Sequence, residues 1–304
     1  MYVPGTAGGI ERSLVWVDRQ GREEQIPAPT RSYSWVRVSP DGTRLSMEVQ
    51  DRANTDIWIY DLARRTSTRL TFAPEADRYP VWTPDGQRVA YTSGSDIVWK
   101  PPDGTGDIER LLTGLNAPRP FSWSGDGKKL IYDVGGASGD VAVLSLDGER
   151  RPQALIETEF GTARPAMSPD DRWLAYQSNE SGPYQIHVQP FPEVGGGRWQ
   201  ISTDGGLNPV FSPNGRELFY DTGNALMVVP IDTKTTFSPG TPQVLFQGAY
   251  FYGPTGAGGR AYDIAPDGQR FLMLKNAGAG GSLSASIIVV ENWFEELRQR
   301  VPTR

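Results

Sequence analysis

One seven-residue phrase, Ser39-Pro40-Asp41-Gly42-Thr43-Arg44-Leu45, constrains the fold of this chain more than any other feature. Variants of it begin at Thr83, Ser124, Ser168, Ser212 and Ala265, so successive starts lie 44, 41, 44, 44 and 53 residues apart. A near-fixed period in the forties is the mark of a repeat architecture and must be read before any local assignment. The residue ahead of each copy is large and apolar: Val38, Trp82, Trp123, Met167, Phe211 and Ile264. Within the phrase, Pro suits the first central position of a turn and Gly tolerates φ > 0.

One period holds four short strands. Residues 34–38 run into the turn, and Leu45, Met47 and Val49 then alternate as in a half-buried strand. A polar loop over 50–55 leads to a third strand at 56–62, and a basic turn to a fourth at 67–71. Third strands recur at 96–99, 140–143, 185–188, 225–229 and 286–290, and fourth strands at 108–113, 152–157, 198–203 and 242–247. Four strands repeated six times describe an all-β fold, a β-propeller of four-stranded blades with six blades expected and seven as the alternative. An open solenoid would need polar capping repeats.

The termini predict how the ring closes. After its third strand the sixth repeat enters 291–300, read as a short amphipathic helix capped by Asn292, with no fourth strand. Near the N-terminus, 14–17 and 24–27 read as strands outside any full repeat, so the N-terminus is expected to supply the missing outer strand of the last blade. This makes 1–291 one propeller domain and 292–304 a helix and tail. The longest insertion, 248–259, and the glycine run 278–281 are expected on one face, because both kinds of connection open to the same side.

Composition narrows the function classes. A net charge of -6 and a pI near 5.0 give no basic footprint for nucleic acid or an anionic membrane surface. The absence of cysteine excludes a disulfide scaffold, a thiolate metal site and a cysteine nucleophile. No run of 18 apolar residues is present to span a bilayer, and Met1-Tyr2-Val3-Pro4-Gly5 lacks the basic and apolar regions of a signal peptide.

Several phrases carry a family resemblance. Trp82-Thr83-Pro84-Asp85-Gly86 and Asp56-Ile57-Trp58-Ile59-Tyr60-Asp61 resemble the WD-like repeats of TolB-like propellers. Leu14-Val15-Trp16-Val17-Asp18-Arg19-Gln20-Gly21, Val188-Gln189-Pro190-Phe191-Pro192 and Asn292-Trp293-Phe294-Glu295-Glu296-Leu297 are similar to the C-terminal propeller region of bacterial eukaryotic-type Ser/Thr kinases. The resemblance implies a sensing or scaffolding domain outside the membrane, in the periplasm or beyond. The chain itself has no kinase motif: no His-Arg-Asp, no Asp-Phe-Gly and no Gly-rich phosphate loop leading to a strand lysine.

The catalytic inventory is sparse. His187 is the single histidine and reads as a structural strand residue, aligned with Trp58 and Ala142. No Gly-x-Ser-x-Gly elbow occurs, and the glycine pattern at 256–261 precedes a strand rather than opening a helix. Asp51, Asn54 and Asp56 offer oxygen ligands of the type Ca²⁺ takes, without EF-hand spacing; strand-end turn roles explain them more simply. The phrase aspartates Asp41, Asp85, Asp126, Asp170 and Asp267 read as turn formers.

Alignment of first strands gives the site expectation. Five positions before each phrase stand Ser34, Arg78, Arg119, Ala163, Leu207 and Arg260, with Arg164 one residue later. Arginines there would ring the channel mouth with a fork suited to carboxylate or phosphate, flanked by Tyr33, Trp35 and Tyr79. The plain alternative is that they pair with Glu75, Asp77 or aspartates of neighbouring blades. The sequence thus favours a non-enzymatic interaction or sensing propeller that binds a protein, peptide or small anionic ligand. The alternative is a lyase or hydrolase with its site in the channel.

Overall fold

The computed structural model describes residues 9–51, 54–135, 139–193, 195–254 and 258–277. Its strands form six sheets arranged as six blades, with no helix among the described residues. From the axis outward, blade 1 is Ser32–Val38, Arg44–Asp51, Asn54–Asp61 and Thr66–Arg69. Blade 2 is Asp77–Trp82, Val89–Ser93, Asp96–Lys100 and Glu109–Leu112, and blade 3 is Pro118–Trp123, Lys129–Val134, Asp140–Ser145 and Pro152–Ile156. Thr162–Met167, Trp173–Ser178, Gln185–Pro190 and Trp199–Gln200 make blade 4. Blade 5 has Leu207–Phe211, Glu217–Asp221 and Ala225–Asp232, the last pairing with both Ser238–Pro239 and Gln243–Gln247.

Blade 6 joins the two ends of the chain. Its inner strands, Asp263–Ile264 and Arg270–Asn276, are followed outward by Arg12–Asp18 and then Glu23–Gln25. Arg12–Asp18 pairs with its neighbour along seven residues, from Arg12↔Asn276 to Asp18↔Arg270. The N-terminus therefore supplies the third strand as well as the outer one, where the sequence reading assigned it only the outer strand and gave 286–290 the third place. Burial explains the difference. Leu14 and Trp16 pack toward blade 1 while Val15 and Val17 pack toward blade 5, so this strand needs a neighbour on each face. All three residues of Glu23–Gln25 are exposed, as suits an edge. Residues 278–304, with the expected strand and helix, lie outside the described residues.

The same two-sided burial runs around the ring. Six apolar clusters lie one between each pair of adjacent blades. In blade 3, Leu130 and Tyr132 face blade 2 while Ile131 between them faces blade 4. Fully burying such a side chain contributes about 1.5–3 kcal/mol. The four buried residues 14–17 thus match the whole net stability of an ordinary domain, about 5–15 kcal/mol.

The repeated phrase is the turn between first and second strands, and it also links blades. In the first copy Ser39 Oγ donates to Asp41 Oδ1 at 2.5 Å and accepts from Arg44 N at 2.9 Å, while Gly42 takes φ +71°. Gly42 packs on Pro266, Gly86 on Pro40, Gly127 on Pro84, Gly215 on Pro169 and Gly268 on Pro213. The interface of blades 3 and 4 breaks the rule twice. Gly125 replaces the proline, and Asp171 (φ +56°) replaces the glycine. The freed Gly125 N–H donates to both Asp171 carboxylate oxygens, at 2.8 and 2.9 Å.

Gly125→Pro should therefore cost about 1–2 kcal/mol in urea unfolding, because the Asp171 carboxylate loses its donor. Adding Asp171→Gly should recover most of that loss by restoring the pair used elsewhere. A coupling energy below about 0.5 kcal/mol in the double-mutant cycle would contradict the link.

Candidate functional site at the channel mouth

The innermost strands do not run straight. In blades 1 to 5 each shifts register just ahead of the phrase: Tyr33/Val36, Arg78/Val81, Pro120/Ser122, Ala163/Ala166 and Leu207/Val210. In three of these bulges a non-glycine residue takes the left-handed conformation: Tyr79 (φ +58°), Arg164 (φ +56°) and Asn208 (φ +55°). Each precedes a proline, Pro80, Pro165 or Pro209, which brings no N–H to be orphaned. A bulge bends the strand and re-aims the side chains beside it.

The N–H of each of these three left-handed residues is caught by the preceding blade. Tyr79 N donates to Glu48 Oε2 at 3.3 Å, Arg164 N to Asp133 Oδ2 at 3.1 Å and Asn208 N to Gln177 Oε1 at 3.1 Å. The acceptors share one place in the repeat, nine residues after the phrase begins, where Thr92 and Asp221 also stand. All five are buried. The first-strand alignment missed this layer, although a polar residue recurring on otherwise apolar second strands marks it.

The expected arginines divide into three struts and one exposed group. Arg119 Nε donates to Asp133 Oδ1 at 2.5 Å. Arg164 is 1% exposed and spans the ring, donating to Asn208 Oδ1 at 2.8 Å and to Pro254 O at 2.7 Å. Arg260 binds Asp263 Oδ1 at 2.6 Å and Tyr262 O at 3.1 Å. Only Arg78 is exposed, with no ion pair to a described carboxylate. It acts electrostatically on Glu48 and Tyr79.

The aromatic flank is also redistributed. Tyr33 is core, 1% exposed, its hydroxyl donating to Pro29 O at 2.5 Å. Trp35 packs at a tilt between Tyr79, 5.8 Å away, and Phe251, 6.3 Å away. Gly258 closes over it so tightly that a Cβ there would come within 2.5 Å of the indole. Tyr79 stays half-buried beside Arg78. Tyr184, from the second-to-third-strand loop of blade 4, joins Arg119 and Arg164 electrostatically, and its hydroxyl lies over Gly161.

Burial sets the charge of this layer. It pushes the Glu48 and Asp221 carboxyls up to about 7, Arg78 opposing it at Glu48 and Asn208 at Asp221. It raises Asp133 too, against the opposing pull of Arg119. Three guanidiniums, Arg78, Arg119 and Arg164, thus stand near carboxyls whose charged form burial disfavours.

The other expected positions are ordinary. Asp56 is paired with Arg69 Nη2 at 2.8 Å, Asn54 Nδ2 donates to Ala73 O at 2.8 Å, and Asp51 is exposed. Among the described residues no three His, Cys, Asp or Glu side chains converge as a metal site. His187 is buried and stacked on Tyr176, and burial lowers its pKa.

The Glu48 shift gives a signed pH dependence. A carboxyl raised by folding contributes stability below its ordinary pKa and loses that contribution as pH rises toward 7. Glu48→Gln keeps the acceptor for Tyr79 N without the charge. The variant should gain about 2–3 kcal/mol on wild type between pH 5 and pH 8 in urea unfolding. Parallel pH profiles would refute the shift.

No family model matches the chain. Among curated proteins it is 26% identical over 166 residues to one from Bacillus subtilis (strain 168) described as the uncharacterized peptidase YuxL. That match covers 50% of this chain and 23% of the relative, so the chain spans less than a quarter of that protein. Among solved structures, a TolB-like protein from Agrobacterium tumefaciens superposes with a TM-score of 0.69 at 20% identity, covering 89% of this chain and 99% of that one. An oligogalacturonate lyase in complex with manganese gives a TM-score of 0.57 at 13% identity, covering 90% of this chain and 99% of the other. The chain has the β-propeller fold shared with TolB-like proteins.

Proposed function

We propose that this protein is a binding propeller that takes a carboxylate or phosphate group, free or on an acidic partner segment, at the channel mouth. The exposed Arg78 carries the reading: it makes no ion pair with a described carboxylate and faces solvent beside Tyr79. Its carboxyl neighbour Glu48 resists ionisation, so the guanidinium fork keeps capacity for an anion from solvent. Arg119 and Arg164 stand nearby, and Tyr79 supplies an aromatic wall. Phe72, 71% exposed on the connection leading into the Arg78 strand, adds apolar surface for a partner, with Arg69 over its ring at 4.9 Å. Similarity of the flanking phrases to the propeller region of bacterial Ser/Thr kinases supports a sensing or scaffolding role.

An enzymatic reading rests on the likeness to oligogalacturonate lyase, whose named substrate is itself a polyanion. A thermal-shift screen of dianionic metabolites, acidic peptides and oligogalacturonate, with and without Mn²⁺ or Ca²⁺, separates the two. Consumption of oligogalacturonate would move the assignment to a lyase.

For the ligand found, Arg78→Ala should weaken binding about tenfold, near 1.4 kcal/mol, and Arg78→Glu more. Tm at pH 5 should be unchanged, because the side chain is exposed and Glu48 is protonated there in both proteins. Equal affinity of Arg78→Glu and wild type in isothermal titration would remove Arg78 from the site.

A further inference from the structure

Arg37 lies on the innermost strand of blade 1, between Val36 and Val38, and is 4% exposed. Its guanidinium reaches into blade 6, where Nη1 donates to Val36 O and Arg260 O, each at 2.7 Å. Nε is fully buried and has no acceptor. No described carboxylate pairs with Arg37. The nearby Asp263 is already committed, with Oδ1 taken by Arg260 Nη2 at 2.6 Å and Oδ2 by Val38 N at 2.9 Å. Tyr262, also close, gives its hydroxyl to Asn208 O at 2.6 Å. Two buried guanidiniums therefore share one carboxylate.

That imbalance is costly, because two carbonyl hydrogen bonds and a shared carboxylate only partly replace the hydration that a buried guanidinium gives up. The adjacent Arg260 makes it worse, and burial with that repulsion pushes the Arg37 pKa down to about 9. Arginine stays protonated at neutral pH, so the site cannot relieve itself by losing its proton.

We propose that the protein holds a small monovalent anion, a halide or a carboxylate, against Arg37 Nε between the innermost strands of blades 1 and 6. The anion accepts the orphaned hydrogen bond and brings the group of Arg37, Arg260 and Asp263 to neutrality. The site is separate from Arg78, so Arg78→Ala should leave the anion response intact.

The test is thermal unfolding at fixed ionic strength, with a baseline of fluoride, the halide that sheds its hydration least readily and so enters a buried site worst, replaced stepwise by chloride, bromide, formate or acetate. At 100-fold over Kd the wild-type Tm should rise by about 4 °C. Arg37→Met should show no such rise. A response to formate and acetate alone identifies a carboxylate site, and a response to halides a halide site. Bromide-soaked and formate-soaked wild-type crystals decide the matter if the variant does not fold. Bromide anomalous density or a bound formate within hydrogen-bond reach of Arg37 Nε supports the proposal. Neither ligand at Arg37, with a Tm equal in all salts, overturns it.

Discussion

Each blade is apolar on both faces, so none can bury its side chains without a neighbour on either side. That requirement propagates around the ring and ends only where the last blade meets the first. Blade 6 meets it by borrowing Arg12–Asp18, whose alternate residues serve the clusters toward blades 5 and 1. Closure is thus the condition under which every other inter-blade contact exists. The turn ring of Pro–Gly contacts, and the Gly125–Asp171 hydrogen bonds that replace one of them, fix how adjacent blades meet on one face.

A second, polar constraint acts nearer the axis. Bulged inner strands release backbone N–H groups where water is scarce, and each must be satisfied. Side chains from the preceding blade do this for Tyr79, Arg164 and Asn208. Such acceptors include carboxyls, which attract guanidiniums, and so Arg119 became a strut on Asp133, while Arg164 reaches the neutral oxygens of Asn208 and Pro254. Arg78 escapes this use because it points to solvent. Its carboxyl neighbour Glu48 is buried and reluctant to ionise.

Alignment of first strands located the arginines but could not distinguish a strut from an exposed group, since both look alike in a strand. The deciding acceptors stand in second strands, nine residues after each phrase. Prolines after Tyr79, Arg164 and Asn208 were a legible sign that these strands bulge. Arg37 was legible in no way: between two valines it reads as an outward residue of an alternating strand. Only the convergence of blades 1 and 6 encloses it.

The sequence by itself determined the propeller repeat and the turn chemistry, because both are local and recur at a fixed spacing. It favoured six blades over seven, and the structure decided for six. It also determined that the N-terminus closes the ring, because apolar strands without a repeat of their own must pair elsewhere. The tertiary structure alone decided that this closure uses an interior strand, through the two-faced burial of residues 14–17. It likewise decided which arginines are spoken for. Charge pairing across blades depends on distances between residues tens of positions apart, and no local pattern encodes those distances.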